Sequence, residues 1–356
     1  MGGAIARGGD ISTGTDCACC DAVVLGRRGF LAGASALAAT AASADDKPHR
    51  IDVHHHIVPP TWLEALKRAK LDNALLTAWT PQRSIDDMDR AGIATAITSP
   101  TTPQVGFLPA ADAARVAYES NEYARQLMAD HPGRFGVFAM LPMPYPDECL
   151  KEIDHVFDTL KVDGIGMMTS YGDKWLGHPQ FTPVFDELNR RKATVYTHPT
   201  VAGCCGNLVP GISDATVEYG ADTTRSIVNL VFSGAAQRYP DINFIFSHGG
   251  GVLTSVAERL QIQMVSTPPY KGKFTREMVD AQLRRFYYDT AQVANAVTIR
   301  ALANLVPVTQ IVFGTDYPYR SGTEYPQALA ANFTADELKA IDRENAVRIL
   351  PRLRTA

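Results

Sequence analysis

The stretch Arg50-Ile51-Asp52-Val53-His54-His55-His56-Ile57 decides how this chain is read. An apolar run with strand character ends in three imidazoles, and Val58-Pro59-Pro60 then turns the chain. Three later runs end the same way: Thr194-Val195-Tyr196-Thr197-His198, Ile242-Asn243-Phe244-Ile245-Phe246-Ser247-His248 and Ile311-Val312-Phe313-Gly314-Thr315-Asp316. Metal-seeking side chains at strand ends can converge only if the strands are parallel neighbours, as they are at the C-terminal mouth of a (β/α)8 barrel. Residues two apart on a strand share a face, so His54 and His56 project together. His55 points the other way, toward covering helices, and reads as packing. Asp52 falls on the His54 face one layer deeper, where a carboxylate could orient a ligand.

The rest of the chain fits that architecture. Eight apolar runs are expected as strands: 50–57, 94–99, 134–140, 164–170, 194–198, 242–248, 286–290 and 310–315. Helical-period segments alternate with them, at 110–129, 147–160, 183–191, 223–238 and 251–263, and a closing helix follows around 342–350. The expectation is an α/β protein, a single TIM-type (β/α)8 barrel over residues 45–356, since no low-complexity linker divides it. The long connection from Pro199 to about Ala221, rich in Gly, Cys and Pro, is expected to shape the pocket or a subunit contact.

Residues 1–44 stand apart. Arg27-Arg28-Gly29-Phe30-Leu31 has a twin-arginine pattern, and a small-residue apolar stretch leads to Ala42-Ser43-Ala44 before the polar Asp45-Asp46-Lys47-Pro48. That layout is a cleavable signal peptide, too short to remain as a membrane anchor. Export to the periplasm or medium is therefore expected. Of six cysteines, Cys17, Cys19 and Cys20 lie in this leader. Cys149, Cys204 and Cys205 remain, which is no disulfide framework. The net charge of −4, without a basic run, argues against a nucleic-acid partner.

His54, His56 and His198 offer nitrogens to one cation, and Asp316 offers an oxygen and, as a catalytic residue, could also move protons. His248, before Gly249-Gly250-Gly251, sits where backbone approaches a ligand closely and could move a proton. Any one of these histidines could be an ordinary buried residue. The ordered set, on the first, fifth, sixth and eighth strands, points to a metal site.

The chain resembles the amidohydrolase superfamily, most closely the branch of aminocarboxymuconate-semialdehyde, 6-methylsalicylate and γ-resorcylate decarboxylases. The matching segments are 51–59, 87–93, His198-Pro199, 247–251 and 313–318. The resemblance implies a barrel with one divalent metal, usually zinc, with manganese or iron as alternatives. It further implies non-oxidative loss of CO2 from a small aromatic or unsaturated carboxylic acid. By motif, His54, His56, His198 and Asp316 become ligands, and His248 the acid/base residue. Members with two metals carry a bridging lysine at the end of strand four; the run 164–170 has none. The muconate enzyme also implies a homodimer, in which Arg259 would reach across to the substrate carboxylate. Where that enzyme has a second arginine this chain has Ser84, which favours a salicylate-like hydroxybenzoate. Two other readings stay open: hydrolysis of a lactone, ester or amide on the same barrel, and an exported protein that binds zinc or an aromatic acid without turnover.

Overall fold

The computed structural model describes residues 49–354. The expected leader, with Arg27, Arg28 and its three cysteines, lies outside them. Eight parallel strands follow one another in chain order around a nearly closed barrel. They are β1 (Arg50–His56), β2 (Ile93–Ser99), β3 (Phe135–Met140), β4 (Gly164–Met168), β5 (Thr194–His198), β6 (Asn243–Phe246), β7 (Tyr287–Asp289) and β8 (Ile311–Val312). Beyond β8 the chain closes the ring against β1. The Val53 amide donates to the Phe313 carbonyl (3.0 Å), that of Asp316 to His54 (2.8 Å) and that of His56 to Tyr317 (2.8 Å).

Two apolar layers hold the barrel. Outside the strands, buried Phe135, Phe181, Phe185, Phe244, Phe246 and Phe286 pack under the helices. Burying a side chain of that size is worth roughly 1.5–3 kcal/mol. Inside, Ile51, Val53, Ile97, Phe138, Tyr196, Ile245 and Val312 meet Ala346, Ile349, Leu350 and Leu353 from the C-terminal segment, which closes the base. Tyr196 stacks on Phe138 (5.4 Å between centroids) and presents its ring to the edge of His54 (5.3 Å). The apolar fill thus ends where the histidine layer begins.

Three expectations are corrected. β1 does not alternate regularly, because its pairing with β2 slips by one residue between Asp52 and His55. A slip resets which residues share a face. Asp52 therefore lies with His55 on the helix side, not beneath His54. Strands six and eight end early, at Phe246 and Val312, so His248 and Asp316 stand on the loops that follow, both at positive φ (52° and 67°). The helix expected from Thr223 begins at Asp214. Its first turns are exposed, with Val217 at 52%, so no buried apolar stripe marks them in the sequence.

Candidate metal centre

Asp316 is the hub. Its Oδ1 lies 3.1 Å from His54 Nε2, 3.1 Å from His56 Nε2 and 3.8 Å from His198 Nε2. Its Oδ2 lies 3.3 Å from His248 Nε2. The donor atoms of His54, His198, His248 and Asp316 all fall within 4.8 Å of one another, and His56 Nε2 is 3.2 Å from His54 Nε2. Of the six residues named from the sequence, four form this group, His56 stands beside it against His54 and Asp316, and Arg259 is not part of it.

The opposite ring nitrogens show which way the lone pairs face. His56 Nδ1 donates to the Ser99 carbonyl (3.1 Å) and His198 Nδ1 to the Pro199 carbonyl (2.9 Å). A carbonyl only accepts, so both rings carry their proton at Nδ1 and aim an Nε2 lone pair at the Asp316 carboxylate. His198 Nε2 is buried without a hydrogen-bond partner among the described residues. Lone pairs of two imidazoles converging on a carboxylate oxygen repel unless a cation lies among them. The donor set fits a divalent metal.

His54 is held differently. Its Nδ1 donates to Asp289 Oδ2 at 2.8 Å, the carboxylate–histidine arrangement that orients a metal ligand and raises its basicity. Asp289, not Asp52, is thus the orienting carboxylate. The close approach depends on Gly314, where an added Cβ would lie 2.9 Å from the Cβ atoms of both His54 and Asp289. In the protein alone, burial opposes charge on His54, but Asp289 and Asp316 outweigh it and raise its pKa to about 10. Burial instead drives His198 down to about 3. For Asp316, burial works against ionisation, yet the His54 charge and hydrogen bonds from His248 and His54 hold it well below the usual carboxylate range.

The other oxygen of Asp289 accepts the His248 amide at 2.8 Å, fixing the turn from which that ring reaches Asp316. Across the mouth, Gln292 donates its side-chain amide to Asp316 Oδ2 at 2.5 Å. Tyr219 and Tyr319 present ring edges to His198 and His56, at 6.3 and 6.0 Å between centroids. Burial pushes the Tyr219 phenol up to about 12, so it is a donor at neutral pH. These three residues had no sequence signal, since they belong to a helix's exposed start and to irregular loops. Tyr287 and Tyr288, which precede Asp289 on β7, are core. Arg259 is exposed at the end of the helix Leu253–Glu258 and makes no polar contact with the cluster among the described residues. No lysine occupies β4; beyond it, Thr169 and Ser170 donate to the buried Asp222.

Residues 51–352 match the family described as amidohydrolase. A decarboxylase, yanB, of Aspergillus niger is 36% identical over 328 residues, covering 85% of this chain and 88% of its own. The 6-methylsalicylic acid decarboxylase of Penicillium expansum is 33% identical over 315 residues, covering 86% and 97%. A solved dihydroxybenzoic acid decarboxylase from a Polaromonas species, with bound manganese and the inhibitor 2-nitroresorcinol, matches with a TM-score of 0.74. Its identity is 21%, over 86% of this chain and 98% of that one, and it speaks to the fold alone.

Proposed function

The chain belongs to the amidohydrolase family, and from that premise we propose that it is a metal-dependent, non-oxidative decarboxylase of a salicylate-like hydroxybenzoic acid. The observation that carries this reading is the convergence of imidazole lone pairs on Asp316, with His248 on the far carboxylate oxygen. The relatives named for decarboxylation supply the reaction class.

His54, His56, His198 and Asp316 would hold the cation, which we take to be zinc from the nitrogen-rich donor set, with manganese as the rival that the Polaromonas structure offers. When bound, it supplies positive charge for the substrate's carboxylate or phenolic oxygen. His248 delivers a proton to the carboxyl-bearing ring carbon. The C–C bond then breaks, its electron pair returns to the ring, and CO2 departs. Tyr219 and Tyr319 orient the phenol, and Gln292 holds Asp316 through its side-chain amide. Arg259, exposed on one chain, is suited to anchoring the substrate carboxylate across a homodimer.

Incubating the purified protein with hydroxybenzoic acids and simple lactones tests the reading. CO2 release from an ortho-hydroxybenzoate supports it; lactone opening without CO2 replaces it with the hydrolase, and silence on the whole panel leaves a binding protein. Metal analysis of protein from its native host decides between zinc and manganese. We also propose that the leader exports the folded enzyme by the twin-arginine route. Changing Arg27-Arg28 to Lys-Lys should then retain the precursor in the cytoplasm, and undiminished export refutes the route.

A further inference from the structure

Behind the metal centre, on the helix side of β1, lies a second polar cluster that the reaction does not touch. His55 is 1% exposed, and Asp52, Ser84 and Thr315 are 0%. The direction of each bond follows from its partners. Asp52 Oδ2 only accepts, so His55 carries its proton on Nδ1, 3.0 Å away. His55 Nε2 then accepts from the Ser84 hydroxyl at 3.0 Å, and Ser84 Oγ accepts from the Trp79 indole N–H at 3.0 Å. The relay runs Trp79 to Ser84 to His55 to Asp52, and every donor in it has an acceptor.

Both neighbours of Asp316 rest on this relay. Asp52 accepts the Thr315 amide at Oδ1 (3.1 Å) and the Thr315 hydroxyl at Oδ2 (2.6 Å). On the other side, the Tyr317 ring stacks on His55, 4.6 Å between centroids and 17° between planes. The Tyr317 amide closes the loop on Thr315 Oγ1 at 3.2 Å. Between them Asp316 adopts φ 67°, a left-handed conformation uncommon outside glycine though more accessible to aspartate than to most residues. Asp52 Oδ1 also accepts the His54 amide at 2.9 Å, so the same unit reaches both sides of the barrel's closure.

We propose that His55 is a positioning residue for the metal centre: through Asp52 and the Tyr317 ring it holds the left-handed turn that aims the Asp316 carboxylate at the three imidazoles. The inference rests on the reading of Asp316 as a metal ligand. It also gives Ser84 a role, as the acceptor and donor that joins the relay to the helix Pro81–Ala91. His55 touches neither metal nor substrate and acts wholly through its partners.

The test compares His55→Leu, His55→Asn, Ser84→Ala and Asp316→Ala in the full-length protein. Co(II) dissociation constants, the visible spectrum of the Co(II) form and the thermal midpoint are measured for each. His55→Leu should weaken metal binding by about ten- to hundredfold and shift the Co(II) bands, the range known for residues that orient metal ligands. His55→Asn, whose amide nitrogen can stand near the place of Nδ1, should recover most of the affinity. A wild-type dissociation constant and spectrum in His55→Leu overturns the proposal even if its midpoint falls, since packing alone would do that. Equal damage in His55→Asn and His55→Leu overturns the route through Asp52. Should His55→Leu fail to fold, Ser84→Ala cuts the relay one bond further out, and unaltered metal affinity there also overturns it. Wild-type affinity in Asp316→Ala overturns the metal-centre reading instead, which separates the two failures.

Discussion

The two ends of the barrel are built on opposite terms. At the base, Ile349, Leu350 and Leu353 fill the ring with hydrocarbon, and the Thr194 hydroxyl donates to the Ile349 carbonyl (2.7 Å). At the mouth, four imidazoles crowd one carboxylate, a buried nitrogen lacks a partner among the described residues, and His248, Gln292 and Asp316 hold positive φ. The same strands carry both ends. Stability is invested in the base and strain is tolerated at the mouth, where the chemistry lies.

Substitutions can sharpen or break that contrast. The largest effect is expected at the hub: Asp316→Ala should lose both stoichiometric metal and CO2 release, by metal analysis and gas evolution. Full retention of both removes it from the site. His248→Ala should keep its metal while turnover falls by a factor of ~10²–10⁴, the usual range for a lost acid/base; unchanged turnover rejects its role. At the base, Leu350→Ala should cost about 2–5 kcal/mol in denaturant unfolding with metal affinity untouched. A metal defect there would show that the two ends are not separable. Chelation should lower stability by about 2.7 kcal/mol if the free metal had stood at a hundred times its dissociation constant. Smallest, Thr194→Val should cost about 0.5–1.5 kcal/mol, with the catalytic parameters of the parent.

Much of this was legible in the sequence because strand ends in a parallel barrel have only one place to point. The runs ending at His56, His198, His248 and Asp316 gave both the barrel and the cluster at its mouth. What escaped has local causes. The one-residue slip in β1 moved Asp52 to the helix side, and no residue type there announces a slip. The pairing of Asp289 on β7 with the His54 ring was not legible, because it depends on Gly314 letting the backbones close. His55 faces the helices as expected, yet it is hydrogen-bonded at both nitrogens, and burial alone could not say so. Gln292, Tyr219 and Tyr319 lie where the backbone has no period to follow.

Asp289 divides its two oxygens between the ring of His54 and the backbone of His248. A carboxylate shared in that way ties the orientation of the His54 ring to the turn that carries His248. On the role proposed for His248, a substitution at Asp289 should therefore disturb metal binding and proton delivery together.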